Sequence, residues 1–166
     1  MQIRPIQLAD AAAFAELLNR LDSETKFLGF EPGERRTDVE HWQQRIEQMQ
    51  SDGNSMLWVA EQGGELVGFL RAAGETIQRL RHTASIVIAI RQAFTRQGIG
   101  AELFGEMEKW ARVRPLYRLS LTVMTHNATA IALYQKMGFA IEGLHKAALV
   151  VDGQFIDEYT MAKLLS

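Results

Sequence analysis

Residues 95–101 read Thr-Arg-Gln-Gly-Ile-Gly-Ala and separate an apolar run from a helical pattern. The run before them, Ile86–Ile90, is short, apolar and rich in β-branched residues, which predicts a buried strand. After them, apolar residues recur at helical spacing with charges between them, which predicts a helix over about 101–112. The two glycines therefore lie at a turn that leads from a strand into a helix.

Such a turn can bind a phosphate group. It gathers backbone N–H groups around one spot, and the N-terminus of the helix adds a partial positive charge. Two common phosphate loops do not fit. The loop of nucleotide hydrolases needs Gly-x-x-x-x-Gly-Lys-Ser/Thr, which does not occur, and the dinucleotide fingerprint needs a third glycine where Leu103 stands. Plain turn chemistry remains the alternative interpretation.

The composition limits the class of protein. A chain of 166 residues that is 47% hydrophobic predicts one globular domain over 1–166. It has no apolar run long enough to span a bilayer and no cysteine, which excludes disulfides, thiolate metal sites and a cysteine nucleophile. A net charge of -2 argues against a nucleic-acid binder. We therefore expect a cytoplasmic protein with neither a membrane nor a nucleic-acid partner.

Charge is spread unevenly along the chain. Residues 71–118 carry nine basic and four acidic side chains, whereas residues 1–70 carry six basic and twelve acidic ones. This layout suits an anionic cofactor at the glycine turn and a cationic acceptor facing the acidic part. The alternative is that most of these charges are ordinary solvated surface.

The remaining pattern predicts a mixed α/β domain. Asp10 and the capping-box pattern that begins at Thr37 are expected to start two helices, and Gly63-Gly64 and Asp152-Gly153 are expected to turn two hairpins. The predicted strands are 2–6, 56–61, 66–73, 83–91, 117–124, 139–151 and 154–163, and the other helix is 127–137.

A second informative segment follows the glycine turn. Residues 127–139 contain Asn-x-x-Ala-x-x-Leu-Tyr followed by Lys-x-Gly-Phe, and Glu142-Gly143 come soon after. Together with Arg-Gln-Gly-Ile-Gly-Ala at 96–101, this segment resembles the two signatures of the GNAT superfamily of acyl-CoA-dependent N-acyltransferases. One departure is visible, since Thr95 stands where the family usually has Gln or Arg. The resemblance covers about residues 55–163, plus the strand and two helices ahead of them.

The resemblance implies a fold, a cosubstrate and a set of site residues. The fold would be a mostly antiparallel central sheet flanked by helices, and the cosubstrate would be acetyl-CoA. Tyr134 would be the general acid for the departing thiolate. The remaining binding residues would be Ile88, Ala89 and Ile90 along the pantetheine arm, Arg96, Gln97, Gly98, Ile99, Gly100 and Ala101 around the pyrophosphate, and Asn127, Ala130 and Lys136 from the last helix.

The reaction also requires a base, because an amine must lose a proton to attack a thioester. The candidates are His82, at the start of the central strand, and Glu24 or Glu34 in the first loop, with ordinary structural roles as the alternative. No metal is expected, since the four histidines show no ligand spacing.

The acceptor is expected to be the primary amine of a small metabolite or amino acid. A protein or peptide N-terminus is the runner-up, and a non-catalytic acyl-CoA-binding module is a third reading. Because many members of the family pair through their sheets or C-terminal strands, the apolar closing hairpin also predicts a homodimer.

Overall fold

The computed structural model describes residues 1–166 and contains one seven-stranded sheet and four α-helices. The strands are β1 (Gln2–Pro5), β2 (Ser55–Gln62), β3 (Glu65–Gly74), β4 (Thr83–Ile90), β5 (Arg118–Met124), β6 (Ala140–Val151) and β7 (Gln154–Leu164). The helices are α1 (Ala11–Glu24), α2 (Val39–Asp52), α3 (Ile99–Arg112) and α4 (Ala128–Lys136). Each element lies within a few residues of its predicted position.

The sheet has the strand order β1-β2-β3-β4-β5-β7-β6. Every neighbouring pair is antiparallel except β4 and β5, which are parallel. This arrangement confirms the predicted mixed α/β fold with a mostly antiparallel sheet. The parallel pair is short, because its register covers only Thr83–Ser85 and Arg118–Ser120. Beyond these residues β4 and β5 no longer pair.

Two apolar cores cover opposite faces of the sheet. Along β2, Leu57 and Val59 belong to the core beneath α1 and α2, whereas Trp58 and Ala60 belong to the core beneath α3 and α4. This alternation follows from the period of two residues in a strand. The helix that follows the glycine turn is thereby fixed on one face, and α1 and its following loop are fixed on the other.

The starts of two helices differ from the predictions. Asp10 precedes α1 but its side chain does not cap that helix. Its carboxylate instead accepts hydrogen bonds from the Gln7 amide and from Arg4, each with a shortest distance of 2.7 Å. Helix α2 is capped by Asp38, which accepts from the His41 amide at 3.2 Å, so the capping box that begins at Thr37 was wrong by one residue.

Candidate active site

A cleft with a volume of about 1240 Å³ opens where β4 and β5 stop pairing. Residues Ile86–Ile90 and Thr122–Met124 form its two strand walls. The start of α3, the inner side of α4 and the end of α1 complete the lining. The glycine turn and the second signature segment are thus brought to one site by the fold.

The backbone of β4 offers free polar groups to this cleft. In an antiparallel pair, alternate residues direct their N–H and C=O groups to the same neighbour. The Arg91 amide donates to the Val67 carbonyl of the β3 side at 2.8 Å, so Ala89 faces β3 in the same way. Ile88 and Ile90 therefore direct their backbone groups to the side where β5 has separated. Of the three predicted residues, these two present a donor and an acceptor to the gap.

The turn before α3 presents six successive unpaired amides. None of the N–H groups from Arg96 to Ala101 donates to a protein acceptor, and the first helical bond runs from the Glu102 amide to the Gly98 carbonyl at 3.1 Å. Arg96 and Gly98 both have left-handed backbones, with φ of 61° and 85°. Such conformations turn successive amides toward one point and make a concave anion site. The geometry fits a pyrophosphate at this turn.

Thr95 stands where the family signature usually has Gln or Arg, and its side chain is bonded within the turn. The Thr95 hydroxyl donates to the Gln92 carbonyl at 2.8 Å. The Gln97 side chain likewise donates to the Ala93 carbonyl at 3.3 Å, and Gln97 does not line the cleft. The anion site is therefore built mainly from backbone amides.

Helix α4 carries three of the predicted residues along one side of the cleft. Asn127 caps this helix, because its side-chain oxygen accepts from the Ala130 amide at 3.3 Å, which leaves the side-chain NH₂ group unpaired. Ala130 is small and lets a ligand approach the helix. At the other end, Lys136 lines the cleft and forms no ion pair, which leaves its charge available to a phosphate.

Tyr134 lies deeper in the cleft and packs against the rings of Phe104 and Phe139, at centroid distances of 5.9 and 6.3 Å. The residue is 8% exposed. Its hydroxyl has no protein partner and is not among the enclosed unpaired atoms, so it opens to the cleft. Burial raises the pKa of the Tyr134 phenol to about 12, which keeps it protonated at neutral pH. It is therefore a hydrogen-bond donor there.

Two of the candidate bases, His82 and Glu34, lie outside the cleft. His82 is exposed and precedes β4 at the end remote from the cleft, where its carbonyl accepts from the Tyr117 and Arg118 amides. Ile88 is six residues further along the strand, about 20 Å at the rise of an extended chain. The structure therefore does not bring His82 within proton-transfer distance, because a base must reach its proton directly or through one water. Glu34 is likewise outside the lining.

Two carboxylates do line the cleft, and they differ in their partners. Both oxygens of Glu24 are engaged, one by Arg91 Nε at 3.1 Å and the other by the Gln92 amide at 2.9 Å. The side chain of Glu158 on β7 forms no hydrogen bond and no ion pair. Sequence reasoning did not name Glu158 as a candidate base, because nothing within the last strand shows that it faces the cleft. Its place in the cleft depends on β7 lying beside β5.

A roof over the cleft comes from the loop after α1. Phe27 and Leu28 line the cleft, and the Phe27 ring lies 5.1 Å from the His126 ring. Lys26 forms an ion pair with Asp152 in the turn between β6 and β7. We call residues 25–29 the roof segment. Its apolar residues were visible in the sequence, but their contacts depend on parts of the chain more than 90 residues away.

No helix is both long and apolar enough to cross a membrane. No three or more His, Asp or Glu side chains are grouped so that they could hold a metal ion.

Comparisons with known proteins agree with this geometry. The family model described as Acetyltransferase (GNAT) family matches residues 15–139. The L-amino acid N-acetyltransferase AaaT of Escherichia coli is 34% identical over 127 residues, which cover 74% of this chain and 75% of the relative. The N-alpha-acetyltransferase RimI of Mycobacterium tuberculosis is 37% identical over 109 residues, 63% of each chain.

A solved structure extends the similarity to nearly the whole chain. The acetyltransferase of the GNAT family from Streptococcus pneumoniae superposes with a TM-score of 0.96 at 32% identity, covering 99% of both chains. The residues matched by the family model include β4, the glycine turn and all of α4, which form much of the cleft. The chain therefore belongs to the GNAT family and is an acetyl-CoA-dependent acyltransferase.

Proposed function

We propose that this protein transfers the acetyl group of acetyl-CoA to the primary amine of a small metabolite or amino acid. One observation carries the proposal: the free amides of Arg96 and of residues 98–101, the backbone groups of Ile88 and Ile90, and the Tyr134 hydroxyl all meet in one cleft. The similarity to an L-amino acid N-acetyltransferase supports an amino acid as the acceptor.

Acetyl-CoA supplies the thioester carbon that the amine attacks. The amides of residues 96–101 would hold the pyrophosphate, and Asn127 and Ala130 would border the arm. The backbone of Ile88 and Ile90 would align that arm along β4, in place of the missing partner strand. The Ile90 N–H is also suited to stabilise negative charge on the carbonyl oxygen, since backbone donors fixed in a site act strongly on developing charge.

Glu158 is proposed to take the proton that the amine loses, directly or through a water molecule. A general base needs a free lone pair near the reacting group, and Glu158 is the cleft carboxylate without a partner. Glu24 is less suited, because Arg91 and the Gln92 amide occupy both its oxygens. In the overall step the amine nitrogen gains a bond to the acetyl carbon, the carbon–sulfur bond breaks, and the thiolate finally receives a proton.

Tyr134 is proposed to act on the departing sulfur. Burial raises the pKa of its phenol to about 12, which favours donation of a hydrogen bond over complete transfer of the proton. Its contribution is a hydrogen bond that stabilises the developing thiolate while the sulfur leaves. This assignment refines the role of proton donor that the family resemblance implies.

Two other functions have some support. The similarity to an N-alpha-acetyltransferase favours a protein N-terminus as acceptor, and the roof segment would then have to admit an extended peptide. A non-catalytic acyl-CoA-binding module would explain the departure at Thr95. The unpaired Tyr134 hydroxyl and the unpaired Glu158 favour an enzyme over such a module.

The deciding experiment is thiol release from acetyl-CoA over a panel of amines. The panel should include free amino acids, simple alkylamines and short peptides with free N-termini. We expect release with free amino acids and little with peptides. Peptide-dependent release would favour the runner-up. Binding of acetyl-CoA by calorimetry without release for any amine would favour the non-catalytic module.

A further inference from the structure

Arg71 has no partner in a protein whose other inward-facing arginines are paired. Arg4 pairs with Asp10, Arg35 with the buried Asp22, and Arg91 with Glu24. The side chain of Arg71 forms no ion pair and donates no hydrogen bond, and its Nε is fully enclosed without an acceptor. An unpaired buried donor costs free energy, more so when it is charged. Such a group is expected to have a partner that arrives from outside the chain.

The charged groups around Arg71 also leave its positive charge uncompensated. The pKa of its guanidinium is lowered by burial and further by the positive charges of Arg45 and Arg35. Arg35 is neutralised by Asp22, to which it donates two hydrogen bonds of 2.9 Å. Arg45 is exposed and unpaired. The site therefore has excess positive charge and an unused planar donor, which suits a carboxylate.

Arg71 also lies next to the reaction site. It is directly opposite Val87 of β4 in the sheet register, and Val87 lines the cleft between Ile86 and Ile88. Side chains directly opposite on neighbouring strands are about 5 Å apart at their Cβ atoms. Arg71 points to the face that α1 and its loop cover, because it is two residues from Phe69 of that core. This is the face beneath Leu28 of the roof segment.

We propose that Arg71 binds the carboxylate of the acceptor, so that the acceptors are α-amino acids with a free carboxyl group. The inference rests on the proposed transferase function and deepens it. In an α-amino acid one carbon separates the amine from the carboxylate. Arg71 does not itself line the cleft, but a carboxylate held by its side chain would keep the amine on the α1 face of the sheet next to β4. A peptide N-terminus has an amide at that position and would leave the guanidinium unpaired, which is how a buried polar group rejects a near analogue.

The test compares each standard L-α-amino acid with its own carboxamide, using the unmodified enzyme and saturating acetyl-CoA. We expect kcat/KM to be roughly ten- to a hundred-fold higher for the acid, the range of a charge-assisted hydrogen-bond pair. Arg71→Gln should remove this preference by raising KM for the acid while leaving the amide unchanged. Arg71→Lys should restore part of it, because the charge remains without the planar donor. Arg79→Gln, at an exposed arginine without a partner, is the control.

Calorimetry gives a readout that does not depend on turnover. The dissociation constant of acetyl-CoA should be the same for Arg71→Gln and the unmodified protein. The amide turn that would bind it lies at the start of α3 and does not include Arg71. Equal use of acids and amides by the unmodified enzyme would overturn the Arg71 assignment and leave the transferase function standing. Turnover of no amine at all would instead remove the proposed function. The acid–amide comparison uses the unmodified enzyme, so equal use of acids and amides overturns the assignment even if Arg71→Gln does not fold.

Discussion

Gly100 lies so close to Leu133 that a Cβ atom on Gly100 would be 2.7 Å from Leu133 Cδ2. The glycine turn of α3 and the cleft side of α4 touch at this point. Leu133 lines the cleft, so any side chain at position 100 would displace it within the binding site. Gly98 differs, because it has open space but a left-handed backbone.

Replacing Gly100 by valine should therefore weaken acetyl-CoA binding far more than replacing Thr95 by alanine. The valine displaces Leu133 and moves the free amides of the turn. The Thr95 hydroxyl is bonded to the Gln92 carbonyl, and its loss removes no amide. We expect at least a tenfold rise in the dissociation constant for Gly100→Val and roughly threefold or less for Thr95→Ala, by calorimetry. Equal effects would mean that side chains hold the pyrophosphate.

Tyr134→Phe should reduce turnover without affecting cosubstrate binding. Phenylalanine keeps the packing against Phe104 and Phe139 and loses only the hydroxyl, which has no protein partner. Loss of one positioned donor to a developing charge typically costs about a hundred- to a thousand-fold, and we expect a fall of that order in kcat. The dissociation constant of acetyl-CoA should stay within about twofold. Unchanged turnover would return Tyr134 to a packing role.

Tyr134 should also make the free energy of unfolding fall at alkaline pH. Burial raises the pKa of Tyr134 from 10.0 to about 12, so the unfolded chain loses this proton before the folded one does. The associated stability is present below pH 10 and is lost as the pH rises toward 12. Over that window the free energy of unfolding should fall by about 2 to 3 kcal/mol more in the unmodified protein than in Tyr134→Phe. Urea titrations at pH 9 and at higher pH measure this difference.

Glu158→Gln should lower kcat while acetyl-CoA binding is retained, because the amide cannot accept the amine proton. Glu24→Gln provides the matched control on the other side of the cleft. It should loosen the link from α1 to Arg91 and reduce thermal stability more than Glu158→Gln does, since Glu24 is paired and Glu158 is not. If Glu24→Gln loses turnover at full stability and Glu158→Gln does not, the base is Glu24.

The closing hairpin still predicts a homodimer. Val150 and Phe155 are directly paired across β6 and β7 and are 60% and 77% exposed. Such an apolar pair on an edge hairpin favours burial against a second copy. Light scattering is expected to give the mass of a dimer, and Phe155→Ser should shift the protein toward a monomer. A monomeric unmodified protein at high concentration would contradict this prediction.

Local patterns in the sequence predicted the parts of the site that are local in the chain. The turn at residues 96–101 and the inner side of α4 that carries Tyr134 each follow from a pattern within one segment. The cap of α4 by Asn127 was not predicted, because the family resemblance implied only a cofactor contact for that residue. Glu158, Arg71 and the roof segment could not be located in this way. Their positions depend on which strands become neighbours, and β7 lies between β5 and β6 only because the closing hairpin folds back onto the sheet. His82 differs from these residues, because it precedes β4 and the glycine turn follows β4, so the length of one strand already separates the two.

The ion pair between Lys26 and Asp152 joins the loop after α1 to the turn between β6 and β7 and includes no residue of the amide turn. An exposed ion pair of this kind contributes little to stability, so sequence changes on either side of it cost the fold little. The parts that would face the acceptor can therefore vary while those suited to acetyl-CoA stay constant. Sequence changes in these two loops can therefore select a new acceptor while transfer from acetyl-CoA is retained.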